Sequence, residues 1–352
     1  MRKHFAELQP ILAPLVFFAA ATTPALGHAD GYTISVSQLM DLDKVISAPS
    51  GETVFRLDPQ SGQVSKITGN GRRLSNSTVR VLVTIRCSTG NGWVDSDDHD
   101  SGGGNDKIRC GKDRPWVRIG PIGVTTGRAL PLQNFTVAMS SASLASGVSG
   151  SAPIRFQLNP IGDNQSRTFY VGAEFPVAGD DSRRPSGYGL APYYISVSED
   201  SDGDGAYATK LTSAVLSANR AISITKVSDL RFGIVSRATT SGTITIDPNT
   251  GERTVTGGGY GYPTPAWGPA VFDITGEGGQ SFSISVPQTI QLAGPTNLNV
   301  QTTKNLGNTA TLPGSAGSSQ TVQLKVGGYY PIANGSLIGT YSGNWTVTID
   351  YN

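Results

Sequence analysis

Histidine is nearly absent: 3 in 352 residues, at His4, His28 and His99. A Ser–His–Asp triad, a two-histidine zinc site or a histidine acid–base pair therefore has almost no material to draw on, and we expect no enzyme. Charge is sparse as well, at 15%, and aromatic residues make up 8%. That excludes long solvated helices and acidic or basic tails. Basic and acidic residues nearly cancel, 27 against 26, so nothing electrostatic draws the chain to nucleic acid or to an anionic membrane.

Long apolar runs are also missing, apart from residues 11–21. That run follows Arg2, Lys3 and His4, and small residues succeed it in Ala25-Leu-Gly27-His-Ala29. It is short for a membrane span, and Pro14 and Pro24 interrupt it. We therefore read residues 1–29 as an export signal, cleaved after Gly27 or Ala29, with no transmembrane segment remaining. Removing Arg2, Lys3 and Glu7 takes the formal charge from +1 to zero. The expected route is the periplasm, then the cell surface or medium. The only cysteines, Cys87 and Cys110, suit an oxidising compartment; a disulfide between them would close a loop of 22 residues and contribute about 3 kcal/mol in the chain-entropy model.

What is plentiful is glycine, 44 residues, together with Ser and Thr at about a fifth of the chain. This composition favours short strands joined by tight turns. Alternation of period two runs through Ser281-Phe-Ser-Ile-Ser-Val286, Val322-Gln-Leu-Lys-Val326 and Trp345-Thr-Val-Thr-Ile-Asp-Tyr351. Turn clusters such as Gly257-Gly-Gly and Pro313-Gly-Ser separate such strands. The expected class is all-β: two immunoglobulin-like antiparallel β-sandwiches in tandem after the signal peptide, with a β-barrel as the alternative closure.

The tandem reading rests on an internal repeat. Ile34-Ser-Val-Ser-Gln-Leu-Met-Asp-Leu42 returns 188 residues later as Ile222-Ser-Ile-Thr-Lys-Val-Ser-Asp-Leu230. Asp58-Pro-Gln-Ser-Gly62 returns as Asp247-Pro-Asn-Thr-Gly251, and Val171-Gly-Ala-Glu-Phe-Pro-Val-Ala178 as Val326-Gly-Gly-Tyr-Tyr-Pro-Ile-Ala333. Tyr193-Tyr-Ile-Ser-Val197 matches Trp345-Thr-Val-Thr-Ile349, by then at an offset of 152. We divide the chain into a first domain, 30–200, a linker or completing strand, 201–219, and a second domain, 220–352. The shrinking offset gives the first domain about 36 extra residues, most of them in the interval that holds the cysteine loop.

The second copy resembles the bacterial family typed as domain of unknown function 4402. The resemblance rests on Asp229-Leu-Arg-Phe-Gly233, the Asp247–Gly251 turn and the ending Gly339-Thr-Tyr-Ser-Gly-Asn-Trp-Thr-Val-Thr-Ile-Asp-Tyr-Asn352. That ending is similar to those of chaperone–usher pilins, including the spore-coat-U type: an alternating last strand, a penultimate Tyr351 and Gly339 at the fourteenth position from the end. Such pilins lack the last strand of their sandwich. The resemblance implies an open edge along Trp345, Val347, Ile349 and Tyr351, with Gly339 before it. It also implies two partners, a periplasmic chaperone and a neighbouring fibre subunit. The alternative is that the second domain's own N-terminal strand closes its sheet.

In the first domain the position matching Tyr351 is Glu199, and the chain continues. Residues 206–219 are long enough to supply the strand that domain would otherwise lack. Four to six residues precede the first strand after cleavage, too few to serve as a donor, which points to a fibre tip or adhesin-like subunit. The alternative function is a self-contained secreted or surface module for an extracellular glycan or protein.

Two ligand sites are candidates. The cysteine loop carries Trp93, Asp95, Asp97, Asp98, His99 and Asp100; carboxylates suit Ca²⁺ or sugar hydroxyls and the indole offers a stacking face, while the same residues also make an ordinary solvated loop. Asp200, Asp202 and Asp204, followed by Gly205, have the spacing of the first half of a calcium loop, but Leu211 stands where the closing acid belongs, so a flexible acidic linker is the competing reading. No other cofactor is expected. Tyr260, Tyr262 and Trp267 we expect to be buried across the sandwich rather than grouped as an aromatic patch.

Overall fold

In the computed structural model, residues 31–88, 110–198 and 206–352 are described. The proposed signal, residues 1–29, lies outside them, and among the described residues no helix is long and apolar enough to cross a membrane. The fold is all-β. In chain order the first thirteen strands are β1 (Gly31–Val36), β2 (Met40–Ile46), β3 (Thr53–Leu57), β4 (Val64–Thr68), β5 (Arg72–Arg73), β6 (Val81–Ser88) and β7 (Trp116–Pro121), then β8 (Gln133–Ala138), β9 (Ser149–Gly150), β10 (Ile154–Gln157), β11 (Ser166–Val177), β12 (Gly187–Ser198) and β13 (Ala206–Asn219). Ten more follow: β14 (Ser223–Ser228), β15 (Gly242–Ile246), β16 (Arg253–Val255), β17 (Ala270–Glu277), β18 (Ser281–Ser285), β19 (Thr289–Leu292), β20 (Leu298–Lys304), β21 (Thr309–Thr311), β22 (Ser319–Ile332) and β23 (Thr348–Tyr351).

Alternating sequence becomes alternating burial. In β6 the side chains of Val81, Val83, Ile85 and Cys87 enter the core, while Leu82, Thr84 and Arg86 face away. The N-terminal sandwich packs a sheet of order β1-β6-β11-β3-β4, with β8 also on β11, against a sheet of order β5-β2-β13-β12-β7-β10-β9. One continuous core lies between them, with Phe55, Phe156, Phe169, Phe175 and Tyr193 among its largest buried side chains. One pair departs from the antiparallel expectation: β13 folds back antiparallel on β12 and thereby runs parallel to β2. The C-terminal sandwich packs a sheet of order β14-β17-β22-β15-β16, with β20 also on β22, against a three-stranded sheet of order β21-β18-β23.

The repeated sequence turns are built alike. Asp58 accepts backbone hydrogen bonds from Gln60 and Ser61 through Oδ1, both at 2.8 Å, and Asp247 accepts them from Asn249 and Thr250 at 2.6 and 3.1 Å. Each turn ends in a glycine of left-handed conformation, Gly62 at φ +72° and Gly251 at φ +76°, whose N–H returns to the aspartate carbonyl at 2.9 Å.

Candidate functional site

The edge of interest is β23. Among the described residues it pairs with β18 alone, through Phe282↔Tyr351, Ser283↔Asp350, Ile284↔Ile349 and Ser285↔Thr348. Regular pairing starts at Thr348 rather than at Trp345 as the alternation implied. The reason is Pro287, just beyond β18, which has no N–H with which to extend the ladder. Ile284 donates its N–H to Asn308 on the far side of β18, so Ile284 and Ile349 form a non-hydrogen-bonded pair. The N–H and C=O of Ile349 consequently point to the open side. Trp345, Val347 and Ile349 are half-buried against the core, with the Trp345 ring edge-on to Phe272 at 5.8 Å. Tyr351 is buried, and its hydroxyl accepts the Glu277 N–H at 2.7 Å. Burial raises the Tyr351 pKa, so the phenol stays protonated. Gly339 is not brought to this edge; it packs on Pro295.

The N-terminal sandwich offers a comparison for this edge. The path β1-β6-β11-β3-β4, with β8 beside β11, corresponds strand for strand to β14-β17-β22-β15-β16, with β20 beside β22. On the opposite face, β12-β7-β10 corresponds to β23-β18-β21. β12 is covered on its other side by β13, in continuous register from Gly187↔Ala218 to Val197↔Ala208 with a one-residue shift before Ser198↔Ala206, and β13 is covered in turn by β2. Among the described residues β23 has no such cover. Of the segment matching β2, residues 228–234, Ser228 ends β14 on Val271 and the rest makes, among the described residues, only an isolated bridge, Arg231↔Gly268. β14 pairs with β17 in the larger sheet, so it is not the strand that covers β23.

The junction between the sandwiches converges on the same place. Two consecutive backbone N–H groups after β13 are held by carboxylates from opposite sides. Arg220 N–H goes to Glu277 Oε2 at 3.1 Å, and Ala221 N–H goes to Asp180 Oδ2 at 3.0 Å. Buried Glu277 also accepts from Ser186 Oγ at 3.0 Å and from the Gly317 N–H. Asp180 pairs with the fully buried Arg128 and accepts from Ser47 Oγ at 2.8 Å. On β23 itself, Asp350 is bound by Arg72 Nη1 at 3.1 Å; that pairing and hydrogen bonding hold its carboxyl below the usual range. Sequence reading missed all of these groups, because no local spacing joins residues so far apart along the chain.

Other expectations fall out unevenly. Cys87 and Cys110 form a disulfide, with Cα atoms 5.8 Å apart, tying the end of β6 to the approach to β7. Trp93, Asp95, Asp97, Asp98, His99 and Asp100 lie outside the described residues, as do Asp200, Asp202 and Asp204. Among the described residues no cluster of three or more His, Cys, Asp or Glu could hold a metal ion. Burial of Tyr260, Tyr262 and Trp267 across the sandwich was the expectation; instead they are 60%, 45% and 37% exposed. The cause is Arg253, which takes the space beneath them. Its guanidinium lies 4.0 Å from the Trp267 ring centroid and donates to the carbonyls of Phe232 at 2.9 Å and Tyr262 at 2.7 Å.

Residues 222–351 match the family described as "Domain of unknown function (DUF4402)". The DUF4402 match thus covers the whole C-terminal sandwich, from β14 to β23. Among solved structures, the chain is similar to one from a chaperone–tip adhesin complex of CFA/I fimbriae biogenesis, at 10% identity and a TM-score of 0.25, covering 90% of this chain and 98% of that one. It is also similar to one from the CsuC–CsuE chaperone–tip adhesion subunit pre-assembly complex of Acinetobacter baumannii Csu pili, at 12% identity and a TM-score of 0.23, covering 90% and 99%. A third is a mutant of the enterotoxigenic E. coli CFA/I adhesin CfaE, at 10% identity and a TM-score of 0.23, covering 90% and 93%. No curated protein matches the sequence.

Proposed function

We propose that this protein is an exported, non-enzymatic surface subunit of a fibre, assembled by strand complementation, with the DUF4402 sandwich as the assembly domain and the N-terminal sandwich as the presenting domain. One observation carries the reading: the larger sheets of the two sandwiches share the strand order β1-β6-β11-β3-β4 and β14-β17-β22-β15-β16, and in the sheet opposite, the ladder ends among the described residues at β23, where the N-terminal one continues from β12 into β13 and β2. An incoming strand would run antiparallel to β23 and add main-chain hydrogen bonds at Ile349. It would also cover the half-buried Trp345, Val347 and Ile349. In transit through the periplasm that strand would come from a chaperone; in the fibre it would come from a neighbouring subunit. A tip or adhesin-like position, accepting a strand without donating one, belongs to the same proposal. The two-copy organisation, 30–200 and 220–352 with 206–219 completing the first copy, is part of the same proposal.

The test uses the internal strand as a probe. Residues 206–219 are appended to the full mature chain after Asn352 through a flexible linker. The expected result is a thermal midpoint several degrees higher and slowed hydrogen exchange at the Ile349 amide. An Ile349 amide already protected in the unextended monomer, or one unchanged by the extension, overturns the reading.

A further inference from the structure

A cavity of about 590 Å³ opens on the N-terminal sandwich, where β8 meets β11, and its lining includes Arg80, Tyr170, Gln60, Thr168, Val137 and Leu144. It lies apart from the junction along β11. β11 runs from Ser166 towards Asp180, and the seven steps from Tyr170 to Val177 span about 23 Å of strand. The volume falls within the range of small-molecule sites, about 300–1,000 Å³.

The chemistry of the lining is one-sided. The Arg80 guanidinium lies 3.9 Å from the Tyr170 ring centroid. Stacking occupies the face of a guanidinium and leaves its in-plane N–H fork directed outward. Among the described residues no hydrogen bond or ion pair engages that fork, the Gln60 side-chain amide, the Thr168 hydroxyl or the Tyr170 hydroxyl. No carboxylate lines the cavity, and Val137 and Leu144 supply apolar wall. An unopposed arginine beside an amide and two hydroxyls calls for a ligand with one anionic group, several hydroxyls and an apolar C–H face.

We propose that this cavity binds an acidic saccharide, its carboxylate held bidentately by Arg80 and its ring hydroxyls by Gln60, Thr168 and Tyr170. The inference deepens the presenting role of the N-terminal sandwich and rests on that part of the proposed function, not on strand complementation.

The experiment is calorimetric titration of the full mature chain with sialyllactose, with a trimer of galacturonic acid and with neutral lactose. At least one acidic sugar is expected to bind and lactose not to, with Arg80→Gln weakening the acidic sugar by about tenfold or more and Arg80→Lys by less. Arg80 is exposed, so the variant's melting temperature reports an intact fold; should it fall, Gln60→Ala carries the same comparison with a several-fold loss. Absence of binding by either acidic sugar, equal binding to Arg80→Gln, or displacement by inorganic phosphate as effective as by the sugar overturns the proposal. Repeating the strand-extension test on Arg80→Gln separates the two ideas, because its stabilisation is expected to be unchanged.

Discussion

A methyl group placed on Gly172 would lie 2.2 Å from the carbonyl oxygen of Leu57, and one on Gly327 would lie 2.2 Å from that of Ile246. Each glycine also seats the proline of the neighbouring turn, Pro59 or Pro248, so a Val-Gly pair that stood out only as a repeat in the sequence proves to be a packing requirement. Its partner lies more than a hundred residues back in the first copy and some eighty back in the second, which is why no local pattern explained it. The same scale holds the clearest acid-sensitive group. Glu174, nearly buried, accepts from Arg56 Nε at 3.1 Å and Asn134 Nδ2 at 2.6 Å, and hydrogen bonding from Arg56 first, then Asn134, lowers its pKa. A carboxyl depressed in the folded state stabilises above its unfolded value of about 4.3, and that contribution disappears as pH falls through the folded value. Urea unfolding at a series of pH values should therefore show a steeper loss of stability below about pH 4.3 in the native chain than in Glu174→Gln. Identical slopes would assign the acid sensitivity to other groups.

At the level of elements, β13 and β23 are opposite cases of one design. β13 has partners on both sides and buries Ala214, Leu216 and Ala218, whereas β23 has a partner on one side and leaves Ile349 half-buried. Truncating a fully enclosed side chain removes its transfer energy and leaves a cavity; truncating one at an open edge leaves space that water fills. Leu216→Ala is thus expected to cost about 2–4 kcal/mol in chemical unfolding, and Ile349→Ala about 1 kcal/mol. In the chain extended by residues 206–219 the Ile349→Ala cost should rise towards the Leu216 value, and equal costs with and without the extension would mean the added strand does not dock. The segment 206–219 was recognisable in the sequence as a strand of sufficient length. Its parallel neighbour β2 was not, because alternation specifies which face a residue takes and is silent about which strand lies alongside.

Across the whole molecule, the two sandwiches are joined by paired carboxylates rather than by a bare tether. Asp180→Asn would leave the buried Arg128 without its counter-charge and weaken the hold on Ala221; the expected cost is about 3 kcal/mol, with a wider spread of interdomain distances in solution scattering. An unaltered scattering profile would show that the junction is held by other contacts, such as Lys44 on Gln280 or Arg72 on Asp350. Much of this protein was determined by the sequence alone. Period-two alternation made it all-β, two cysteines had only each other, and recurring segments such as Asp58–Gly62 and Asp247–Gly251 marked turns that are built alike. Those properties are local or compositional, and each can be read from a short stretch of chain. Only the tertiary structure decided the rest: that β13 lies between β12 and β2, that among the described residues β23 has a partner on one side only, that Arg253 turns Tyr260, Tyr262 and Trp267 outward, and that Glu277 meets both Arg220 and Tyr351. Each of these depends on the order in which distant strands close into sheets, and that order comes from packing the whole core rather than from the periodicity of any one segment.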